Sequence, residues 1–125
     1  MAVRGFGDLE AVIMDRLWTR GQPTTVREIH TDLREQREIA YTTVLTVIDN
    51  LFKKGWLRRE PAGRAHRYNP VMSREQYSAG LMREALDASG DPTVTLSGLI
   101  EQMTPAEAAA LRAALTAHEK SNAAR

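Results

Sequence analysis

At 125 residues the chain has room for one domain of usual size, or for one small domain with an appendage. It contains no cysteine, which excludes disulfides and thiolate metal sites, and no apolar run approaches the ~18 residues of a membrane span. Seventeen Lys/Arg against 16 Asp/Glu leave a net charge of +1, so a nucleic-acid partner has to be argued from where the charges fall. They fall unevenly: residues 1–70 carry 12 basic and 9 acidic groups, and residues 71–125 carry 5 and 7. The two parts are therefore expected to be separate domains, 1–70 and 71–125, with different jobs. The opening Met1-Ala2-Val3-Arg4-Gly5-Phe6 lacks the apolar stretch of a signal peptide, and the expected location is cytoplasmic, with no membrane insertion.

In chain order, a first helix is predicted from Asp8 as N-cap, with Leu9, Val12, Ile13 and Leu17 at helical spacing and Trp18 just beyond. Gly21-Gln22-Pro23 breaks it. Thr24 and Thr25 read as a short edge strand, and Thr25 with Glu28 forms a capping box that opens a second helix. Val26, Ile29, His30 and Leu33 make its buried stripe. His30 there reads as a satisfied core or boundary residue.

A third helix begins near Ala40. At 100° per residue, Tyr41, Val44, Ile48, Leu51 and Phe52 fall on one side and form a core stripe. Thr42, Thr43, Thr46, Asn50 and Lys53 fall on the other. A helix that only needs to be soluble usually carries Glu/Lys pairs on its outer face. Three threonines are also poor helix formers, because their branched side chains lose rotamer freedom. Hydroxyls, an amide and methyl groups suit the edges of bases in the DNA major groove. Gly55 stops the helix after Lys53 and Lys54.

Two short alternating runs follow, Trp56 to Pro61 and Ala65 to Pro70, around Ala62-Gly63-Arg64, and predict a β-hairpin. From Lys53 to Arg67 there are six Lys/Arg and one acid, Glu60. A basic hairpin directly after a groove-compatible helix is the layout of a winged helix-turn-helix. Alternation puts Tyr68 against the core, which favours Arg67 as the phosphate contact over Arg64 and His66. Trp18 and Trp56 read as core residues.

Beyond Pro70, Ser73 and Gln76 form a capping box for a fourth helix, about Arg74 to Ala88. Gly90-Asp91-Pro92 reads as a break. Leu96, Leu99, Ile100 and Met103 predict a fifth helix, and Thr104-Pro105-Ala106-Glu107 starts a sixth, with Leu111 and Leu115 on a narrow apolar face. Ser121 to Arg125 reads as a frayed tail. These segments are too thinly apolar to make a core alone, and packing against an identical copy solves that problem.

The pattern resembles the penicillinase-repressor family, the BlaI/MecI-like winged-helix repressors. The residues that carry the resemblance are Gly7-Asp8-Leu9-Glu10, Val12-Ile13-Met14, Leu17-Trp18 and Thr25-Val26-Arg27-Glu28-Ile29. Further matches are Ala40-Tyr41-Thr42-Thr43-Val44 with Thr46, Leu51-Phe52-Lys53-Lys54-Gly55, and Arg64-Ala65-His66-Arg67-Tyr68-Asn69-Pro70. They cover residues 7–70 closely; the remainder is similar only in length and helical layout. The resemblance implies a homodimer that sits on inverted-repeat operators and blocks transcription. In well-known members a membrane sensor protease relieves repression by cutting an Asn-Phe pair in the helix before the last. The corresponding stretch here reads Gly98-Leu99-Ile100-Glu101, so Leu99 and Ile100 mark the candidate cleavage region by position alone. Copper-responsive relatives carry a cysteine-rich motif that this chain lacks.

The expectation is thus a mainly α fold: a winged helix-turn-helix of three helices plus a β-hairpin wing, with a C-terminal helical dimerisation region. Double-stranded operator DNA is expected to meet Thr25, Tyr41, Thr42, Thr43, Thr46, Asn50, Lys53, Arg64, His66 and Arg67. A second copy of the chain is expected to meet Leu81, Leu96, Leu99, Ile100, Leu111 and Leu115. No phosphate loop, nucleophile motif or catalytic cluster is present, and no metal site or cofactor is expected. Two other functions fit the same fold: a winged-helix protein-interaction module that does not read DNA, and a small-molecule-responsive repressor. An acidic wing or a Glu-rich third helix would have favoured the former, and neither occurs.

Overall fold

The computed structural model describes residues 5–124. Met1–Arg4, on which the signal-peptide reading rests, and Arg125 lie outside the described residues. The elements run α1 (Asp8–Arg20), β1 (Thr24–Thr25), α2 (Val26–Arg34), α3 (Tyr41–Lys53), β2 (Leu57–Ala62), β3 (Ala65–Pro70), α4 (Arg74–Asp87), α5 (Pro92–Glu101) and α6 (Pro105–Ala123). They form two compact units, one up to Met82 and one from Arg83.

The first unit is organised by apolar stripes. Ile13, Met14 and Leu17 of α1, Val26, Ile29 and Leu33 of α2, and Val44, Ile48 and Leu51 of α3 are buried in one cluster. Leu57 of β2 and Tyr68 of β3 close it from the sheet side. Burial of such side chains contributes about 1.5–3 kcal/mol each, so this cluster is what holds the three helices in place. Trp18 and Trp56 pack against it, as their apolar character predicts.

Local chemistry sets the helix ends. The first N-cap is Gly7, one residue before the predicted Asp8; Glu10 Oε1 accepts the Gly7 N–H at 3.0 Å, and Asp8 sits in the first turn. The Thr25–Glu28 box opens α2 as expected. At the end of α3, Gly55 takes φ +90°, donates to Phe52 O, and lets Trp56 N donate to Leu51 O. This pair of reversed bonds satisfies carbonyls that would otherwise be orphaned and turns the chain straight into β2.

The sheet is antiparallel, in the order β1-β3-β2. β2 and β3 pair from Leu57↔Pro70 to Ala62↔Ala65, joined by Gly63-Arg64. Gly63 has φ +64°, the requirement at the first central residue of a II′ hairpin turn. The short strand β1 pairs Thr24↔Tyr68 and Thr25↔Arg67, tying the entry of α2 to the hairpin.

Packing of the first unit continues past Pro70, where the composition change placed a boundary. Tyr77 of α4 is buried and stacks on Phe6, with ring centroids 4.5 Å apart and planes 11° apart. The Trp18 and Trp56 rings each lie 5.6 Å from the same tyrosine. Trp18 Nε1 donates to Met72 O at 2.9 Å, and Arg74 pairs with Asp15 at 2.7 Å.

In the second unit the helix starts are again capped. Thr104 and Glu107 form the predicted box. Gly90-Asp91-Pro92 is more than a break: Asp91 Oδ1 accepts from Thr93 N and Val94 N, so α5 starts at Pro92, earlier than its apolar residues indicate. The sixth helix continues to Ala123, through most of the segment expected to fray. No residue of α5 or α6 is buried.

Candidate nucleic-acid interface

Helix α3 presents two surfaces. Val44, Ile48 and Leu51 are enclosed, whereas Thr42, Thr43, Thr46, Asn50 and Lys53 all reach solvent. The threonine face predicted from periodicity is therefore free on a helix whose other side is anchored in the core. Thr46 Oγ1 donates to Thr42 O at 2.9 Å, which leaves its lone pairs to accept from an incoming donor. Lys53 Nζ lies 2.9 Å from Asp49 Oδ2, one turn back, so a phosphate that recruits Lys53 competes with this pair.

Tyr41 does not join the core stripe to which periodicity assigned it. It is the first residue of α3, and its ring meets His30 edge-on with centroids 5.5 Å apart. It stays 41% exposed. The apolar cluster begins one turn later, at Val44, so helical angle alone overstates the burial of Tyr41. His30 is satisfied at the boundary, with Nε2 2.9 Å from Ile39 O.

The hairpin and the N-termini of α2 and α3 frame an open groove of about 380 Å³. It is lined by Thr25, Val26 and Arg27 of β1 and α2, Tyr41 and Leu45 of α3, and Arg64, Ala65, His66 and Tyr68 of the hairpin. Arg64 and His66 thus line the same groove as Tyr41 and Leu45 of α3. Arg67, preferred from the alternation, stands across from Glu60 and beside Pro23, Arg58 and Asn69 in a separate recess. Alternation correctly separated Arg67 from Tyr68, but the groove lies on the Tyr68 side of β3. Leu45 and Arg27 were not picked out from the sequence. The available signal for Leu45 was a large apolar residue standing off the core stripe.

The Thr25 hydroxyl is already engaged: it accepts from Glu28 N at 3.2 Å and donates to Glu28 Oε1 at 3.0 Å. Glu28 Oε1 also takes the Thr25 N–H, and Oε2 pairs with Arg20 at 2.9 Å. The positive end of α2 therefore holds the chain's own carboxylate. Its pKa is lowered, first by the Thr25 backbone N–H and then by the Thr25 hydroxyl, against opposing burial, with Arg20 and Arg67 adding attraction. Glu10 is lowered likewise, chiefly by the hydrogen bond from Lys54 Nζ.

Depressed carboxylate pKa values stabilise the fold above the ordinary glutamate value of about 4.3. That contribution is lost as pH falls through the lowered folded-state values. Denaturant titrations at pH 3 to 6 should therefore show Glu28→Gln with a shallower acid loss of stability than the unaltered chain. Equal acid slopes for both proteins would contradict this assignment.

Of the residues expected to pair two copies, Leu96, Leu99, Ile100 and Leu115 are 40–55% exposed, and Leu81 and Leu111 are half-buried. Among the described residues no group of three His, Asp or Glu side chains lies close enough to hold a metal ion. No described helix is long and apolar enough to cross a membrane.

A three-helix unit with a basic β-hairpin wing and an outward polar helix defines a winged helix-turn-helix transcription regulator. Residues 6–117 match the family described as penicillinase repressor. The chain is 46% identical over 112 residues to the transcriptional regulator BlaI of Mycobacterium tuberculosis, covering 87% of this chain and 81% of that one. Two solved structures share the fold at 24% identity, each covering 60% of this chain and 90% of the other. One is the DNA-binding domain of the repressor BlaI, with a TM-score of 0.53. The other is the Bacillus licheniformis BlaI monomeric form in complex with the blaP half-operator, with a TM-score of 0.50. The chain belongs to the penicillinase repressor family and is a BlaI-like DNA-binding transcriptional repressor, not an enzyme.

Proposed function

We propose that this repressor acts as a homodimer on inverted-repeat operator DNA, with α3 in the major groove and the hairpin tip on the adjacent sugar-phosphate strand. The observation that carries the reading is the exposed Thr42, Thr43, Thr46 and Asn50 face on a helix whose opposite side is fully buried. Hydroxyls and amides held on a rigid support are what base-edge recognition needs. Lys53 and Arg64 supply positive charge around that face, His66 offers a ring nitrogen beside Arg64, and Arg67 stands ready in the neighbouring recess; phosphate contacts of this kind set position rather than sequence. Thr25 enters as the cap that shapes the first turn of α2. A cytoplasmic location follows from the choice of partner. The solution complex of the Bacillus licheniformis relative with a half-operator supports the DNA reading.

Leu96, Leu99, Ile100 and Leu115, with Leu81 and Leu111, form the dimerisation region in this reading, and the domains expected at 1–70 and 71–125 serve for reading and pairing, with the packing of the first carried on to Met82. The apolar groups that α5 and α6 leave in water support it, because a second copy would remove them from solvent. Footprinting on the DNA upstream of the protein's own gene tests the whole proposal. Protected half-sites one helical turn apart, or a multiple of it, are the expected result. Uniform protection at physiological salt would refute it.

Relief of repression is assigned to a cut near Leu99-Ile100 by a membrane sensor protease. Both side chains are exposed and lie within three residues of the end of α5. Loss of α6 from the pairing surface would weaken the dimer, which then leaves DNA by mass action. On immunoblots taken during induction with a cell-wall-active antibiotic, the full-length band should decline as the target gene is expressed. Complete derepression with an unchanged band would point to a bound ligand or partner instead.

A further inference from the structure

Leu45 stands outside the core. It is 41% exposed, and it is absent from both the buried cluster and the shell packed against it, although Val47 and Phe52 of the same helix belong to that shell. Tyr41, one turn earlier, is equally exposed and equally outside the shell. The two sit on the flank of α3 that faces the groove, next to Thr42 and Thr46 on the polar face. Two large groups on this helix face are left well exposed outside the core, Tyr41 with its ring edge-on to His30. Arg27 and Arg64 line the same groove, so its charge suits a polyanion and its floor suits an apolar group attached to one.

Duplex DNA offers that combination at one place, the C5-methyl group of thymine in the major groove beside a phosphate strand. The first turns of a recognition helix are also where base edges are met. We propose that Leu45, supported by Tyr41, is a specificity-determining residue that packs on a thymine methyl of the operator, while Arg27 and Arg64 hold the adjoining phosphates. This rests on the operator reading given above and adds a contact that hydroxyls and amides cannot make.

The test replaces each operator thymine in turn by deoxyuridine, which removes the methyl and leaves the base pair intact. With the full-length protein, at least one position in each half-site should weaken binding about fourfold, the worth of one buried methyl group. Leu45→Ala should bind the unmodified operator more weakly and show no further loss at that same position. Binding to random DNA should be unchanged by the substitution. A thymine scan that affects Leu45→Ala and the unaltered protein alike would overturn the proposal. So would a scan with no sensitive position on an operator that is otherwise specifically protected. Absence of specific protection would instead strike the operator reading itself. If Leu45→Asn leaves the scan intact but alters sedimentation, the groove takes a second copy of the chain, and the thymine contact is wrong.

Discussion

A chain ending after Met82 is expected to remain folded, to sediment as a monomer, and to lose about 10²–10⁴-fold in operator affinity. Linking two half-site contacts converts the second into an intramolecular event, and cutting away α5 and α6 undoes that gain without touching α3. The end point matters. Ending at Pro70, as the composition boundary invites, would also remove Tyr77, the buried ring that stacks on Phe6 and meets Trp18 and Trp56. It would further remove the Met72 carbonyl that accepts from Trp18 and the Arg74 partner of Asp15. Loss of a buried aromatic side chain costs about 3–5 kcal/mol, a large share of a small domain's stability. The shorter fragment should therefore unfold at clearly lower urea concentration than the fragment ending at Met82. Paired urea melts and sedimentation runs on the two fragments check both points. A fragment to Met82 that still dimerises would place the pairing surface in the first unit.

The second large effect separates reading from holding. Ala at Thr43, Thr46 or Asn50 should cost about 1–3 kcal/mol on the operator for each specific contact removed, with little change on random DNA. Ala at Lys53 or Arg64 should weaken both DNAs alike and reduce the salt slope by about one unit per phosphate contact. Titrations on both DNAs at several salt concentrations distinguish the two patterns. Equal losses on operator and random DNA for the threonine variants would remove α3 from the reading role.

The parts of the fold that were legible in the sequence are those decided within one helical turn. Thr25 with Glu28, Ser73 with Gln76, and Thr104 with Glu107 cap their helices because the partners are three residues apart. Gly55 and Gly63 announce left-handed backbone that other residues resist. Less was legible where a local signal had two meanings. Gly90-Asp91-Pro92 reads as a break, yet an aspartate before a proline is also an N-cap followed by an ideal first helical residue. Tyr41 has the angle of a core residue, but the core ends one turn short of it. The Phe6–Tyr77 stack joins residues far apart in sequence, and no periodicity within either segment encodes that meeting. The same holds for the groove: Leu45 lies on α3, Arg27 on α2 and Arg64 in the hairpin turn, and only the sheet register and the packing of α2 against α3 bring them together.

The carboxylate of Glu28 at the head of α2, and that of Asp49 beside Lys53, have a consequence for how such a protein finds its site. Binding to random DNA is almost purely a matter of charge, so if α2 and α3 meet DNA as proposed, these acids subtract from it directly. The proposed contacts to base edges and thymine methyls would be untouched by that subtraction. A reader built this way gives up some grip everywhere in order to linger less at wrong addresses. Its time on the chromosome would then be spent in many short visits, each ended quickly unless the bases themselves held it.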